Sequence, residues 1–380
     1  MSALKSPFWE AVGVFGGMII GSGMFALPYA VSVSGLWWAA IMFAVAVFAA
    51  LSLHMAYGEV VSNTFEKHRL PGYTKLYLGI FWGRVSRFTE IILFNATLLA
   101  YGILAGIFLQ AIFPSSYSPY FWTFAFFLIT ALILLFESIE RIGMINFILT
   151  IPLIAATLFI SFLAFGKGDT GNLMLWGNDN FFSFGVFMFA LAGLSAIPDA
   201  FEVFKNSPEK SKLKSVIWLG TAIPAILYVV FALAVLFAVD GRVSEDAISS
   251  LKNVLGDKVL FLGATIGFLA VFTSFLVLSY DLKRIYELDL GISKLSSWLS
   301  AILIPPIIFM IGAADFIKII SVVGGIFIIL DGFFVIFILR NMRKKNASTF
   351  RFLRFGALHQ AILMLIFTAS IVYELVYQIL

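Results

Sequence analysis

Eleven long apolar segments divide this sequence of 380 residues, and most of them are long enough to cross a lipid bilayer. Hydrophobic residues make up 61% of the chain and charged residues only 12%, which is too little charge to cover the surface of a soluble protein. The segments are continuous rather than alternating, so they predict transmembrane helices and not the strands of a β-barrel. The predicted fold class is an all-α integral membrane protein.

The predicted spans are close to the ~20 residues that a hydrocarbon core requires. They cover residues 9–33, 36–62, 85–113, 120–137, 142–166, 181–204, 213–239, 258–281, 295–313, 316–340 and 353–379. Because no linker or low-complexity run interrupts the pattern, residues 1–380 are expected to form a single transmembrane domain.

The basic residues are distributed unevenly between the two sides of the predicted membrane. With the N-terminus inside, the inner segments carry 20 Lys and Arg residues and the outer segments carry five. Cytoplasmic loops are enriched in Lys and Arg, so this difference predicts a cytoplasmic N-terminus and an outer C-terminus in the cell membrane. The formal net charge of +4 is small and is confined to a few loops. Such a charge orients a protein in the membrane, and we expect no nucleic-acid partner.

A short motif, Gly-x-x-Ala-(Leu or Ile)-Pro, occurs at residues 23–28 and again at residues 193–198. The first copy lies in span 1, which runs outward, and the second lies in span 6, which runs inward. Two similar segments of opposite direction, five spans apart, predict an inverted repeat of spans 1–5 on spans 6–10. Glycine and proline interrupt helices, and interrupted helices occur in membranes where they are buried in protein or line a cavity.

The two interrupted helices suit an amino acid as ligand. A half-helix N-terminus attracts a carboxylate, and free carbonyls attract a cation or an ammonium group. The alternative is close helix packing, which small residues also permit. The candidate substrate-binding residues in the two breaks are Ile20, Gly21, Ser22, Gly23, Met24, Phe189, Ala190, Ala192, Gly193 and Ser195.

Three acidic residues within the spans are candidates for a gate or a proton site, because ionisable groups at membrane depth are costly. Glu59 and Asp199 lie near the inner end of their spans, where the alternative is an interfacial charge that reaches water. Asp331 lies deeper in span 10, where the alternative is a buried structural acid. His54 in span 2 is interpreted as a packing or helix–helix hydrogen-bonding residue.

Three segments of the sequence resemble motifs of a known family. Residues 21–28, Gly-Ser-Gly-Met-Phe-Ala-Leu-Pro, resemble the signature of the amino acid/auxin permease family, in particular its hydroxy and aromatic amino acid permease branch. Residues 189–199 resemble the sixth helix of that branch, and residues 273–276, Thr-Ser-Phe-Leu, resemble an element of its eighth helix. The family belongs to the amino acid-polyamine-organocation superfamily.

This resemblance implies a leucine-transporter-like 5+5 inverted repeat, with repeats at 9–166 and 181–340 and an extra helix at 353–379. In that fold helix 3 lines the substrate site, which adds Tyr101 to the candidates. Sodium-coupled relatives bind a cation between helices 1 and 8. Carried over by motif, the Na⁺ ligands are carbonyls of Gly17, Ile20 and Ala270 and hydroxyls of Thr273 and Ser274. The alternative for the two hydroxyls is a bond to their own helix.

The predicted function is cation-coupled import of a neutral amino acid by alternating access, with aromatic and hydroxylated amino acids as the candidates. The expected partners are the amino acid, a coupling cation (Na⁺ or H⁺) and membrane lipids, with no other cofactor. The protein is expected not to be an enzyme. Two alternatives stay open: a membrane-embedded, lipid-linked transferase, and a channel. No loop shows clustered His, Asp or Glu with metal-ligand spacing, as such a transferase usually needs.

Overall fold

A computed structural model describes residues 7–66, 68–114, 117–136, 139–204, 212–241, 243–345, 350–354 and 356–379. Within these ranges the regular structure is helical and no strand occurs. The α-helices are α1 Pro7–Ile19, α2 Leu27–Ser34, α3 Leu36–Asn63, α4 Leu70–Leu78, α5 Ile80–Ile112, α6 Pro119–Phe136, α7 Ile139–Phe165, α8 Phe182–Ala190, α9 Ile197–Glu202, α10 Leu213–Ala238, α11 Ile248–Leu255, α12 Asp257–Arg284, α13 Lys294–Met310, α14 Phe316–Val322, α15 Ile328–Lys344 and α16 Ala357–Tyr373.

The apolar helices in the described part of the chain account for the predicted spans. Seven are long and apolar enough to cross a membrane, and α1 with α2 forms an eighth that is bent by 44°. Three shorter apolar helices, Pro119–Leu134, Thr150–Phe165 and Lys294–Met310, lie at predicted spans 4, 5 and 9. Helix α5 begins at Ile80, five residues before the predicted 85. It extends beyond the apolar run to Gly79, whose φ of 99° ends the preceding α4.

Both predicted helix breaks are present and have the same construction. After α1, Gly21 is extended (φ −142°, ψ −154°), a 3-10 turn covers Ser22–Ala26, and α2 begins with a proline in its first turn. After α8, Gly193 precedes a 3-10 turn over Leu194–Ala196, and α9 also begins with a proline in its first turn. Proline is tolerated there because the first amides of a helix have no partner within it.

The breaks face each other in the centre of the bundle. A Cβ atom on Gly23 would lie 2.7 Å from the Cα of Ala190, so only glycine permits this approach of the two backbones. Around the breaks, α12 packs along α5 and α7, and α10 packs along α1 and α7. This arrangement buries non-helical backbone inside protein, as a membrane requires.

The extra helix α16 is attached near its end to a π-helical segment, Val323–Phe327, that joins α14 to α15. The buried Glu374 accepts a hydrogen bond from the Ser321 hydroxyl at 2.8 Å, and the Ser370 hydroxyl donates to the Gly325 carbonyl at 2.9 Å. These bonds provide polar partners at a place where the i→i−4 ladder is interrupted.

Candidate functional site

A cavity of about 130 Å³ lies between the two helix breaks. Residues of α3, α5, α12 and α15 complete its wall. Nine of the eleven candidate substrate-binding residues line it: Gly21, Ser22, Gly23, Tyr101, Phe189, Ala190, Ala192, Gly193 and Ser195. The structure therefore brings together both copies of the repeated motif and the predicted helix 3 tyrosine.

The other two candidates, Ile20 and Met24, are buried but do not belong to the cavity wall. Met24 points instead toward α7, where the Thr157 hydroxyl lies 3.9 Å from its sulfur atom. The Ile20 amide still donates to the Gly16 carbonyl at 2.9 Å and so continues the ladder of α1. Consecutive residues of a helical turn face different directions, so not every residue of a break reaches the cavity.

Backbone groups of both breaks meet at one side chain, Tyr228 of α10. Its hydroxyl lies 2.5 Å from the Ile19 carbonyl and 3.1 Å from the Ala190 carbonyl. These carbonyls belong to the last residues of α1 and α8, where the helices leave such groups without internal partners. One buried hydroxyl therefore holds the ends of both half-helices together.

The rest of the wall is largely apolar and aromatic. Tyr101 and Phe189 make an edge contact, with ring centroids 6.4 Å apart. Further apolar side chains come from α5, α8, α12 and α15: Leu93, Phe94, Met188, Leu278 and Ile328. An apolar wall with a few polar groups is typical of a small-molecule site.

Asp331 is the predicted acid that lines the cavity. Only 6% of the residue is exposed, and its Oδ1 atom has no hydrogen-bond partner in the described part of the chain. The other ionisable or phenolic groups of the wall are His54, Tyr57, Arg69, Glu90 and Tyr101. A carboxylate without a partner at membrane depth is costly, so Asp331 is stable there when it is protonated or when a cation lies against it.

Asp199 belongs to an ion-pair cluster around Arg69, a residue of the cavity wall. Arg69, between α3 and α4, donates to the Asp199 carboxylate at 3.1 Å and to the Ser195 carbonyl at 2.7 Å. Its second terminal nitrogen lies 3.8 Å from the Asp281 carboxylate on α12. Burial disfavours the charged guanidinium, but Asp281 and Asp199 favour it more, and the pKa of Arg69 is raised. The cluster links α9 and α12 through one cation.

Glu59 lies outside the cavity wall and is fully buried. Its two carboxylate oxygens accept hydrogen bonds from Nε and Nη2 of Arg343 on α15, both at 2.7 Å. The Phe352 amide also donates to it, at 2.9 Å. Such a two-bond pair is the strong geometry for arginine and carboxylate, and here it fastens the segment before α16 to α3.

The five candidate Na⁺ ligands come from α1, the first break and α12. Ser274 lines the cavity, and its hydroxyl lies 4.0 Å from the position of a Cβ on Gly21. The Thr273 hydroxyl donates to the carbonyls of its own helix, Leu269 at 3.1 Å and Ala270 at 3.2 Å. This geometry corresponds to the alternative for Thr273, a hydrogen bond to its own helix in place of a Na⁺ ligand. Gly17 packs against Thr150 of α7. Among the described residues, no group of three or more His, Asp or Glu side chains is arranged for a metal.

Sequence reasoning missed Arg69 and Tyr228 and interpreted His54 as a packing residue. Tyr228 is 209 residues from Ile19, and Arg69 is 130 residues from Asp199. No local pattern marks such contacts, because they depend on which helices become neighbours. A usable signal exists only for His54, an ionisable residue within an apolar span.

Comparisons with known proteins agree with this architecture. The sequence model of the tryptophan/tyrosine permease family matches residues 5–376. The solved structure of MhsT in complex with L-phenylalanine has a TM-score of 0.64 at 16% identity, covering 98% of this chain and 97% of that chain. No curated protein sequence matches.

Two structures of Mhp1 are also similar. One is described as a nucleobase-cation-symport-1 family transporter in a closed conformation with bromovinylhydantoin bound. It has a TM-score of 0.63 at 14% identity, over 99% of this chain and 92% of that chain. The inward-facing structure has a TM-score of 0.68 at 12% identity, over 98% and 89%. At these identities the likeness shows the fold, and it confirms the predicted leucine-transporter-like class.

The family match also decides the broad function. The match confirms the predicted superfamily and the relation to aromatic amino acid permeases. The matched family is a different one from the predicted amino acid/auxin permease family. The family and the fold indicate a transporter rather than an enzyme. The protein is a multi-pass membrane protein and a secondary transporter of amino acids or similar substrates. The chain belongs to the tryptophan/tyrosine permease family.

Proposed function

We propose that this protein imports aromatic amino acids, tryptophan and tyrosine, across the cell membrane together with a cation. The observation that carries this proposal is the cavity between the two helix breaks, which combines exposed backbone ends with an aromatic wall. The N-terminus is inside and the C-terminus outside in this proposal, as the difference in basic residues predicts.

The polar end of the amino acid has complementary groups in the breaks. The Ser22 hydroxyl is buried beside Tyr101 in the cavity wall, and it stands at the start of the 3-10 turn. Amides at such a start attract a carboxylate. Carbonyls at the ends of α1 and α8 attract the ammonium group, as in other transporters with discontinuous helices.

The aromatic side chain fits the apolar part of the wall. Phe94, Tyr101 and Phe189 provide rings that pack by edge or offset contacts, which aromatic pairs prefer. These rings support an aromatic substrate.

Asp331 is the coupling residue in this proposal, and the coupling ion is a proton. A carboxyl group in the cavity wall that is 6% exposed and has an unpartnered oxygen needs a positive charge or a proton to be stable. Proton uptake at Asp331 from the outer side and release to the inner side couples the proton gradient to transport. His54, Tyr57, Arg69 and Glu90 share the cavity with Asp331.

Sodium is the second candidate ion, through Gly17, Ile20, Ala270, Thr273 and Ser274. What supports it is the position of Ser274 beside the first break. Neutral oxygens of this kind suit hard cations. The back-bonded Thr273 hydroxyl favours the proton.

Two transport modes of Asp331→Asn in proteoliposomes test the proposal. Exchange of labelled for unlabelled tyrosine needs binding and alternating access but no net ion movement, so we expect it to persist. Accumulation driven by an imposed proton gradient should be lost. Wild-type protein that moves no aromatic amino acid contradicts the substrate assignment. If Asp331→Asn accumulates tyrosine as wild type does, the coupling assignment is wrong, and dependence on Na⁺ then identifies sodium.

A further inference from the structure

The cavity contains one neutral nitrogen acceptor whose role the transport cycle leaves open, the imidazole of His54 on α3. The residue is 2% exposed and lines the cavity. Its Nδ1 atom lies 3.0 Å from the Thr221 hydroxyl of α10. Nothing in the described ranges forms a hydrogen bond with its Nε2 atom.

The hydrogen bonds of Thr221 determine which imidazole nitrogen carries the proton. The Thr221 hydroxyl donates its single proton to the Ile217 carbonyl at 2.9 Å. It therefore accepts from His54, so Nδ1 carries a hydrogen and Nε2 has a lone pair. The result is an oriented acceptor in an apolar wall.

His54 is also close to the second helix break. The ring of Phe15 makes an edge contact with the imidazole, with centroids 5.2 Å apart. A carbon of the same Phe15 ring lies 3.1 Å from the position of a Cβ on Gly193, in the unwound segment after α8. One aromatic ring thus separates His54 from the backbone that the proposed substrate contacts.

We infer that Nε2 of His54 accepts a hydrogen bond from the ring donor of the substrate, the indole N–H of tryptophan or the phenol O–H of tyrosine. This inference rests on the proposed function and adds the basis of substrate selection. Tryptophan and tyrosine share one feature that phenylalanine lacks, a hydrogen-bond donor on an aromatic ring. A site with a fixed acceptor discriminates against an analogue without the donor, because the acceptor then stays buried and unpaired.

Competition experiments with pairs of ligands test this inference. The pairs are tyrosine with phenylalanine, and tryptophan with 1-methyltryptophan, in which the ring N–H is replaced. Inhibition of labelled tryptophan uptake into proteoliposomes gives a preference ratio for each pair. We expect wild-type protein to prefer the donor-bearing member by about 3- to 10-fold. In His54→Leu the ratios should fall to about 1, while His54→Gln, which retains an acceptor, should keep part of the preference.

A matched control is available in His359→Leu. His359 pairs with Ser52 on the same helix α3 at 3.0 Å, but it lies outside the cavity wall. This variant should keep the wild-type ratios. If His54→Leu cannot be purified, Thr221→Val and Thr221→Ser decide the question. Thr221→Val removes the acceptor that orients the imidazole and should reduce the ratios. Thr221→Ser retains the hydroxyl and should leave the ratios unchanged.

The outcomes separate the two proposals. Wild-type ratios near 1, or ratios that are unchanged in His54→Leu or in Thr221→Val, overturn the role of His54 while transport of aromatic amino acids stands. Absence of saturable uptake of any aromatic amino acid by wild-type protein overturns the proposed function itself.

Discussion

A single hydroxyl group, that of Tyr228, joins the two half-helices that end at the substrate cavity. Its one proton is shared between the Ile19 and Ala190 carbonyls, which lie at the ends of α1 and α8 and have no partner in the helix ladder. Tyr228 does not line the cavity between the breaks, so its role is to position the groups that do.

Replacing Tyr228 with phenylalanine removes both contacts and keeps the ring. We expect a loss of about 1–3 kcal/mol in stability, since buried carbonyls then lack a partner. The KM for tryptophan should rise about 3- to 10-fold. Tyr286→Phe is the control, because it loses one bond of similar length, to Asn95 at 3.2 Å, away from this cavity. Equal effects of the two variants on KM would contradict a positioning role for Tyr228.

The second prediction concerns the ion pair of Glu59 and Arg343. Glu59→Gln leaves Arg343 without its anion and should cost roughly 2–4 kcal/mol of stability, less than for a fully buried pair since Arg343 is 21% exposed. The double variant Glu59→Leu, Arg343→Leu should lose less than the sum of the single variants, because neither charge is then unpaired. Thermal unfolding in detergent measures this. Additive losses would show that the two groups do not interact.

The contact between the two broken helices depends on Gly23. A larger residue there meets the backbone of Ala190, which has no freedom to move aside. We expect Gly23→Leu to abolish uptake while the protein remains in the membrane, because it separates the breaks that form the site. The matched control is Gly16→Ala in α1, whose Cβ would be 3.4 Å from Gly220, an ordinary contact. Normal uptake by Gly23→Leu refutes the paired-break site.

The ion-pair cluster of Arg69, Asp199 and Asp281 is expected to limit access to these elements from the side that the charge distribution predicts to be cytoplasmic. The chain has no cysteine, so a single Leu194→Cys in the cavity wall reports access to a maleimide added from the inside. Removing the cation with Arg69→Ala should raise the labelling rate about 2- to 5-fold, the size expected for a pair that is 40% exposed. Lys75→Ala, on the adjacent α4, removes an exposed charge as a control. Equal rates in both variants would mean that the cluster does not close the cavity.

These elements also show what the sequence can predict. Glycine and proline act on the local backbone, so the breaks near Gly21 and Gly193 were predictable in position and in direction. The partners of Glu59 and Asp199 were not, because Arg343 is 284 residues from Glu59 and Arg69 is 130 residues from Asp199. The positions of Ile20 and Met24 outside the cavity wall were not predictable for a similar reason. A short motif identifies a break but not which side chains turn toward the cavity.

At the scale of the whole molecule, the fold explains why the site is built from backbone. A membrane admits non-helical segments only where protein surrounds them, and the bundle of α3, α5, α10 and α12 provides that surrounding. The same arrangement places the cavity between the two interrupted helices. We therefore expect an aromatic amino acid to bind between the breaks and to be carried by alternating access.

Gradient-driven accumulation of labelled tryptophan by the purified wild-type protein in proteoliposomes is the most direct test of binding and transport. With an inwardly directed proton gradient, we expect saturable accumulation above the external concentration, which collapses when a protonophore is added. Unlabelled tyrosine should compete, and lysine and glutamate should not. If neither a proton gradient nor a Na⁺ gradient drives accumulation of any aromatic amino acid, the account is contradicted.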